Sequence, residues 1–271
     1  MFNRRKKQLS RPKGNMMFKS LLTRIRSHYK PAQGVIACVV LLISFALIAE
    51  AQEKARPELV AYQMALLSRG PKWTPETTPE TERLQAEHMK NIQQMANDGK
   101  LVGAGPMLDN GDLRGIFIFK VGSLDEAKAL AAADPAVKAG RLAAEVHPWL
   151  APKGIGDRYF AAARANPQAK IEMATYQFGI ALRGPNASEE VTPETQKIQA
   201  DHVANVFRLL ASGKLGAAGP FTDDADIRGI FVFQVGSLDE AKALVETDPA
   251  VKTGRLRVEF HPWMAAKGVL P

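Results

Sequence analysis

The sequence contains one folding unit written twice, and this duplication constrains the fold more than any other feature. The run VGSLDEAKAL begins at Val121 and again at Val235, 114 residues later. The tripeptide His-Pro-Trp keeps the same offset, beginning at His147 and again at His261. Because the offset never changes, the two copies align without insertions. Such a constant period indicates duplication of a whole domain.

The repeat boundaries follow from this alignment. Repeat one covers residues 57–151, repeat two covers residues 171–265, and a linker occupies residues 152–170. Alanines in the middle of the linker favour a short helix, and turn-forming residues stand at its ends.

Hydrophobic patterning predicts the elements of repeat one. Apolar and β-branched residues indicate strands at residues 59–67, 101–104, 113–121 and 142–147. Thr78-Pro79 predicts the start of a first helix that Gly99 ends, and Ser123 predicts the cap of a second helix at residues 124–133, terminated by Asp134-Pro135. Asn110-Gly111 is a hairpin-turn signal before the third strand.

The order β-α-β-β-α-β is the ferredoxin-like arrangement of the α+β class. Such a unit places both helices on one face of an antiparallel sheet and leaves the other face uncovered. We therefore predict two tandem ferredoxin-like domains that pack against each other as an intrachain pseudo-dimer. The pattern leaves open whether this pair forms a homo-oligomer.

Residues 1–51 indicate an export signal. A basic stretch precedes an uncharged apolar run at residues 35–49, and Ala49-Glu50-Ala51 has the small-residue pattern of a cleavage site. The run is shorter than the ~20 apolar residues of a membrane span, so we expect cleavage after Ala51 and a periplasmic or secreted protein. The alternative to cleavage is an uncleaved membrane anchor. Translation that begins at Met16 or Met17 would shorten the basic stretch.

The net charge of +8 comes from the same N-terminal segment. Residues 1–51 hold ten basic residues and one acidic residue, so 26 basic and 27 acidic residues remain in the rest of the chain. That balance excludes the electrostatic footprint of a nucleic-acid-binding protein. The single cysteine, Cys38, lies in the apolar run, so the mature chain has no disulfide and no thiol nucleophile. Without a phosphate-binding loop or a dinucleotide fingerprint, no cofactor is expected.

Several motifs recur in both repeats and together resemble a known family. A histidine on the first helix is followed by Gly-Lys-Leu and then by Ala-Gly-Pro. The second helix begins within Ser-Leu-Asp-Glu-Ala, and the motifs Asp-Pro-Ala-Val-Lys and His-Pro-Trp follow that helix. These features resemble the YCII-related (YCII/DGPF) family of the dimeric α/β-barrel superfamily. The resemblance implies that fold and an enzyme that uses a histidine and an aspartate, with some relatives acting on small cyclic or halogenated molecules. The matching catalytic residues are His88, Asp134, His202 and Asp248.

The residues themselves support a chemical role for the histidine. His88 lies on the same helical face as Leu84, Ile92 and Met95, so its ring points toward the sheet. An imidazole there can act as a general base on an acidic C–H or phenolic O–H, with a carboxylate that fixes its tautomer. The competing interpretations are a buried histidine satisfied by a backbone carbonyl, and an Asp134 that makes only local turn hydrogen bonds.

Arginines at the sheet ends are candidates for binding substrate. Arg114 stands where the chain enters the third strand and can orient an anion, assisted by Arg69 at the end of the first strand. The alternative is a local ion pair between Asp112 and Arg114 that holds the hairpin. With the second repeat included, the candidates are Arg69, Asp112, Arg114, Arg183, Asp226 and Arg228.

Two potential metal ligands stand on the last strand of repeat one. Glu145 and His147 share one face of this strand, and with His88 they approach a two-His, one-carboxylate pattern. The spacing is loose, and Pro148-Trp149 favours a packing role at the strand end, so no metal is expected.

We expect an exported tandem YCII-related protein whose partner is a small organic ligand. Its His–Asp pairs would carry out acid-base chemistry of the isomerase, lyase or dehydrochlorinase type. The alternative is a non-catalytic ligand-binding or assembly module of the cell envelope, with the membrane reached only through the N-terminal segment if that segment is not cleaved.

Overall fold

The structure, a computed structural model, describes residues 56–223 and 226–271. The predicted export signal lies outside the described residues. Repeat one consists of β1 (Leu59–Arg69), α1 (Pro79–Asn97), β2 (Leu101–Pro106), β3 (Leu113–Phe119), α2 (Leu124–Ala133), α3 (Pro135–Lys138) and β4 (Leu142–Pro152). The linker contains α4 (Asp157–Ala165). Repeat two consists of β5 (Met173–Arg183), α5 (Pro193–Ala211), β6 (Leu215–Pro220), β7 (Ile227–Phe233), α6 (Leu238–Val245), α7 (Pro249–Lys252) and β8 (Leu256–Ala266).

Across the described ranges, no helix combines the length and apolar character needed to cross a membrane.

Local capping signals set the helix ends. Thr78 caps α1 through a reciprocal box with Thr81, in which each side chain accepts a hydrogen bond from the other residue's backbone amide. Gly99 follows α1 with a φ of 69°, a left-handed conformation that glycine adopts without strain. The Ser123 side chain caps α2 by accepting from the amide of Glu126 at 3.1 Å. These boundaries are the ones that the sequence predicts.

Two of the differences from the prediction arise because the interacting segments are distant in sequence. The last strand of repeat one, expected to end at His147, continues to Pro152 because it pairs with β1 along its whole length. Asn110 and Gly111 do not form a tight hairpin. Instead, the loop between β2 and β3 reaches repeat two, where the Leu108 amide donates to the carbonyl of Pro262 at 2.8 Å.

Each repeat forms one antiparallel sheet with the ferredoxin-like strand order. The orders are β2-β3-β1-β4 and β6-β7-β5-β8, so the central strands of each sheet are the first and third strands of the repeat. This confirms the predicted α+β class and the β-α-β-β-α-β unit.

The two faces of each sheet bury different partners. In repeat one, Met95 of α1 and Ala127 of α2 pack on Phe117 and Phe119 of β3. The opposite faces of the two sheets share a single apolar core. Its central aromatic side chains are Tyr62, Trp149, Tyr176, Phe178 and Trp263. The neighbouring repeat therefore covers the face that one repeat leaves open, which confirms the predicted pseudo-dimer.

The repeats also approach each other through their backbones. Isolated antiparallel bridges join Met107 to Trp263 and Trp149 to Phe221. A Cβ atom added at Gly219 would lie 1.7 Å from the carbonyl oxygen of Leu150, so only glycine fits there.

The linker is a packed element. Ile155 is fully buried in the shared core, and the Gly156 amide donates to the carbonyl of Val269 at 2.7 Å. The start of α4 is therefore held against the C-terminal segment that follows repeat two.

Candidate functional site

The histidine and aspartate predicted for repeat one are in direct contact. Nδ1 of His88 lies 2.8 Å from Oδ1 and 2.9 Å from Oδ2 of Asp134. Asp134 is fully buried and His88 is 9% exposed. Because an ionised carboxylate only accepts hydrogen bonds, Nδ1 carries the proton, and Nε2 is left as the basic nitrogen.

Further donors surround the carboxylate of Asp134. Asn91 Nδ2 donates to Oδ2 and the Ala136 amide donates to Oδ1, both at 2.9 Å. Burial alone raises the pKa of this carboxyl, but hydrogen bonds and charge from His88, with the donors of Asn91 and Ala136, bring the pKa below its usual value. Asp134 therefore stays ionised at neutral pH and holds the imidazole in one tautomer.

The fold explains why these side chains meet. His88 lies on the face of α1 that packs on the sheet, where its ring stacks on Phe117 with 5.8 Å between centroids. Asp134 stands at the junction of α2 and α3 and caps α3 through the Ala136 amide. Asp134 makes the local turn hydrogen bonds of the competing interpretation and also the contact with His88. The partner of His88 Nδ1 is a carboxylate rather than a backbone carbonyl.

Repeat two builds the same arrangement. His202 Nδ1 lies 2.9 Å from both carboxylate oxygens of Asp248. Asn205 Nδ2 donates to Asp248 at 3.0 Å, and the Ala250 amide donates to it at 2.9 Å. Here too, burial raises the pKa of Asp248, and the donors led by His202 lower it further than burial raises it.

Two asparagines of the site, Asn91 and Asn205, are not among the residues predicted from the sequence. Asn91 lies three residues after His88, and Asn205 lies three residues after His202, so each amide is on the same helical face as its histidine. An amide repeated at this spacing in both copies was the available signal.

The predicted arginines of repeat one surround a tryptophan ring. The ring of Trp73 lies 5.4 Å from Cζ of Arg69, 5.2 Å from Cζ of Arg114 and 4.5 Å from Cζ of Arg141. Guanidinium groups at such distances from an indole make favourable cation–π contacts. Arg141 was not among the predicted residues.

The hairpin is held by backbone carbonyls rather than by a local ion pair. Arg114 Nη1 donates to the carbonyl of Asp109 at 2.9 Å, and Arg69 Nη2 donates to the carbonyl of Asn110 at 3.0 Å. Asp112 joins the same network through its own carbonyl, which accepts from the Arg69 amide at 3.0 Å. Among the described ion pairs, none joins Asp112 to Arg114 or its counterpart Asp226 to Arg228.

In repeat two a cavity of about 380 Å³ adjoins His202. Its polar lining includes Arg183, Arg228 and Arg255. Arg183 forms an ion pair with Glu189, which lowers the pKa of that glutamate, and Arg255 donates to the carbonyl of Ser188 at 2.7 Å. The apolar lining includes Val206, Phe207, Leu210, Ile230 and Phe231.

His147 belongs to the interface between the repeats and not to the His88 site. Its Nδ1 lies 2.8 Å from Oδ2 of Asp223 in repeat two, and its ring stacks on Phe221 at 4.6 Å. His261 makes the matching contact with Asp109 at 2.7 Å. No cluster of three or more potential metal ligands occurs among the residues with described positions.

Comparisons with known proteins identify the repeats. A family model described as YCII-related domain matches residues 40–150 and 181–264. An uncharacterized protein of Bacillus subtilis (strain 168), YjpA, is 32% identical over an alignment of 81 positions, and the match covers 28% of this chain and 93% of that protein.

Solved structures share the fold. A putative chlorite dismutase superposes with a TM-score of 0.50 at 9% identity over 76% of this chain and 94% of its own. A mutant chlorite dismutase from Candidatus Nitrospira defluvii gives a TM-score of 0.50 at 15% identity over 76% of this chain and 91% of its own. At these identities the likeness concerns the fold alone.

Proposed function

Because this chain belongs to the YCII-related domain family, with one domain in each repeat, we propose that its His–Asp pairs are general acid-base groups. The substrate is a small organic molecule, and the reaction is a proton transfer of the isomerase or lyase type. Where a substrate reaches the ring, His88 or His202 takes and returns the proton at Nε2. Asp134 and Asp248 hold the rings in position.

The observation that carries this proposal is the hydrogen bond from each imidazole Nδ1 to a buried, ionised aspartate. In serine hydrolases an aspartate in this position fixes the histidine tautomer and stabilises the imidazolium that forms when Nε2 accepts a proton. Asp248 can act in the same way on His202, because Asn205 and the Ala250 amide hold its carboxylate in place.

The cavity beside His202 gives this chemistry room for a substrate. Its volume of about 380 Å³ falls in the range of small-molecule sites, and it combines an apolar wall with a few polar groups, as such sites do. A substrate there would have its acidic C–H or O–H within reach of His202.

The second candidate is a non-catalytic module that binds a small ligand in the same cavity. Asp134 caps α3 and also contacts His88 of α1, so it can hold these two helices together without any catalytic role. This structural role favours the second candidate. The two candidates differ in whether a proton is exchanged with the ligand.

Exchange of substrate hydrogen with solvent tests the proposal without knowledge of the product. The full chain is incubated in D₂O with a panel of small aromatic and carboxylic acids, and loss of C–H signal is followed by NMR. We expect exchange with at least one compound, and its loss in the His88→Ala/His202→Ala double variant. Lys197→Ala, which changes an exposed residue of α5 five positions before His202, is the matched control. Exchange that persists in the double variant, or ligand binding without any exchange, removes the catalytic proposal.

We also propose that the chain is exported, on the strength of the basic and apolar pattern of residues 1–51. Expression of the full chain, cell fractionation and N-terminal sequencing test this. A cytoplasmic product that retains Cys38 contradicts it.

A further inference from the structure

Repeat two has an empty space where repeat one has an indole ring. The offset of 114 residues aligns Ala187, which lines the cavity, with Trp73. The same offset aligns the three arginines of the cavity, Arg183, Arg228 and Arg255, with the three that surround Trp73, namely Arg69, Arg114 and Arg141.

The backbone around the two positions is the same. The Trp73 amide donates to the carbonyl of Gly70 at 3.0 Å, and the Ala187 amide donates to the carbonyl of Gly184 at 3.1 Å. A Cβ atom added at Gly70 would lie 2.2 Å from the carbonyl oxygen of Gly140, and one added at Gly184 would lie 2.2 Å from that of Gly254. The loops that follow β1 and β5 therefore take the same path. The side chain at this position therefore decides whether the space between the arginines is filled.

We propose that the cavity of repeat two binds a small organic anion beside His202, and that Trp73 blocks the corresponding site of repeat one. Each chain then has one accessible site, although it has two His–Asp pairs. The proposal rests on the proposed function only for the chemical role of His202, because anion binding does not require proton transfer.

The lining of the cavity defines the ligand class. Guanidinium groups bind carboxylate and phosphate groups through charge-assisted, often paired hydrogen bonds. The Glu189 carboxylate already pairs with Arg183 from a largely exposed position, so a carboxylate of the ligand can take its place. Asp226 is a second acidic residue near Arg183. The apolar wall of Phe207 and Leu210 fits a hydrocarbon or aromatic body.

Binding stoichiometry measured by calorimetry on the full chain tests the proposal. The probes are benzoate, hexanoate and phenylphosphonate, with benzamide as the neutral control and inorganic phosphate as an anion without an apolar part. We expect at least one organic probe to bind the unchanged chain at one site, Trp73→Ala to bind at two sites, and Ala187→Trp to lose binding. Combining both substitutions should move the single site to repeat one.

Further variants keep the test decisive if Ala187→Trp does not fold. Arg228→Gln and Arg255→Gln should each weaken binding at least tenfold, whereas Glu189→Gln should strengthen it, because the competing carboxylate is removed. Probe binding at one site of the unchanged chain without any exchange of ligand hydrogen would remove the proposed function and leave this proposal standing, which separates the two. Two sites in the unchanged chain, no binding by any organic probe, or benzamide binding as tightly as benzoate overturns it.

Discussion

His147 of repeat one and Asp223 of repeat two are joined across the chain by a hydrogen bond of 2.8 Å between Nδ1 and Oδ2. The histidine is buried, its ring stacks on Phe221, and a matched contact between His261 and Asp109 completes the pair. These two contacts connect repeat one to repeat two.

His147→Ala should therefore destabilise the pseudo-dimer. Loss of a buried hydrogen bond to a charged partner costs about 1–3 kcal/mol of unfolding free energy, and the ring's packing on Phe221 is lost with it. Urea unfolding followed by circular dichroism measures the change. Lys153→Ala, which removes an exposed ion pair with Glu58, is the control and should leave the midpoint unchanged. Equal midpoints for both variants contradict the prediction.

The buried aspartates predict how stability depends on pH. The pKa values of Asp134 and Asp248 are lower in the folded chain than in the unfolded chain, so the unfolded state takes up protons first as the pH falls. The two aspartates contribute fully to the free energy of unfolding above the pKa that they have in the unfolded chain. This contribution is lost from about pH 4 downward. Thermal melting at a series of pH values should show this acid loss, and Asp134→Asn/Asp248→Asn should flatten it. A double variant with the same acid dependence as the unchanged chain is the opposing result.

Asn91 and Asn205 are predicted to be positioning residues. Each donates to the aspartate that holds the histidine, so Asn205→Ala should cost about 1 kcal/mol of stability and reduce proton exchange by His202. Removing this donor raises the pKa of Asp248 toward its value in the unfolded chain, so the loss of stability in acid should become smaller. A role in packing alone would lower stability equally at all pH values and leave proton exchange unchanged. Asn205→Asp should not restore exchange, because it places a second carboxylate beside the first.

Trp149 and Trp263 provide an internal comparison. Both are fully buried, but Trp149 Nε1 donates to the carbonyl of Gly219 at 3.1 Å, whereas Trp263 Nε1 has no acceptor among the residues whose positions are described. Trp149→Phe should therefore be more destabilising than Trp263→Phe by about 1 kcal/mol. Truncation of either to alanine should cost about 3–5 kcal/mol. Chemical denaturation of the four variants measures these differences, and equal losses for the two phenylalanine variants contradict the asymmetry.

The sequence predicts those features whose causes are local. Thr78 and Ser123 set the helix starts because a cap depends on residues within one turn. The end of β4 at Pro152 was not predictable in this way, because it depends on pairing with Leu59, 93 positions earlier.

The same distinction between local and long-range causes applies to the residues of the candidate site. His88 and Asp134 follow from the family resemblance and from helix periodicity. The cluster around Trp73 does not, because Arg69, Arg114 and Arg141 come from three separate strand ends that only the folded sheet brings together. A reader of the sequence sees the difference between Trp73 and Ala187, but not what stands around it.

That difference also has a genetic consequence. In a homodimer one gene encodes both subunits, so a substitution such as alanine to tryptophan appears on both sides of the symmetry axis at once. A fused chain escapes this coupling, because each half mutates separately while the shared interface still holds the halves together. Trp73 and Ala187 occupy equivalent positions of the two repeats, and their difference is a change that a homodimer could not carry in one subunit alone.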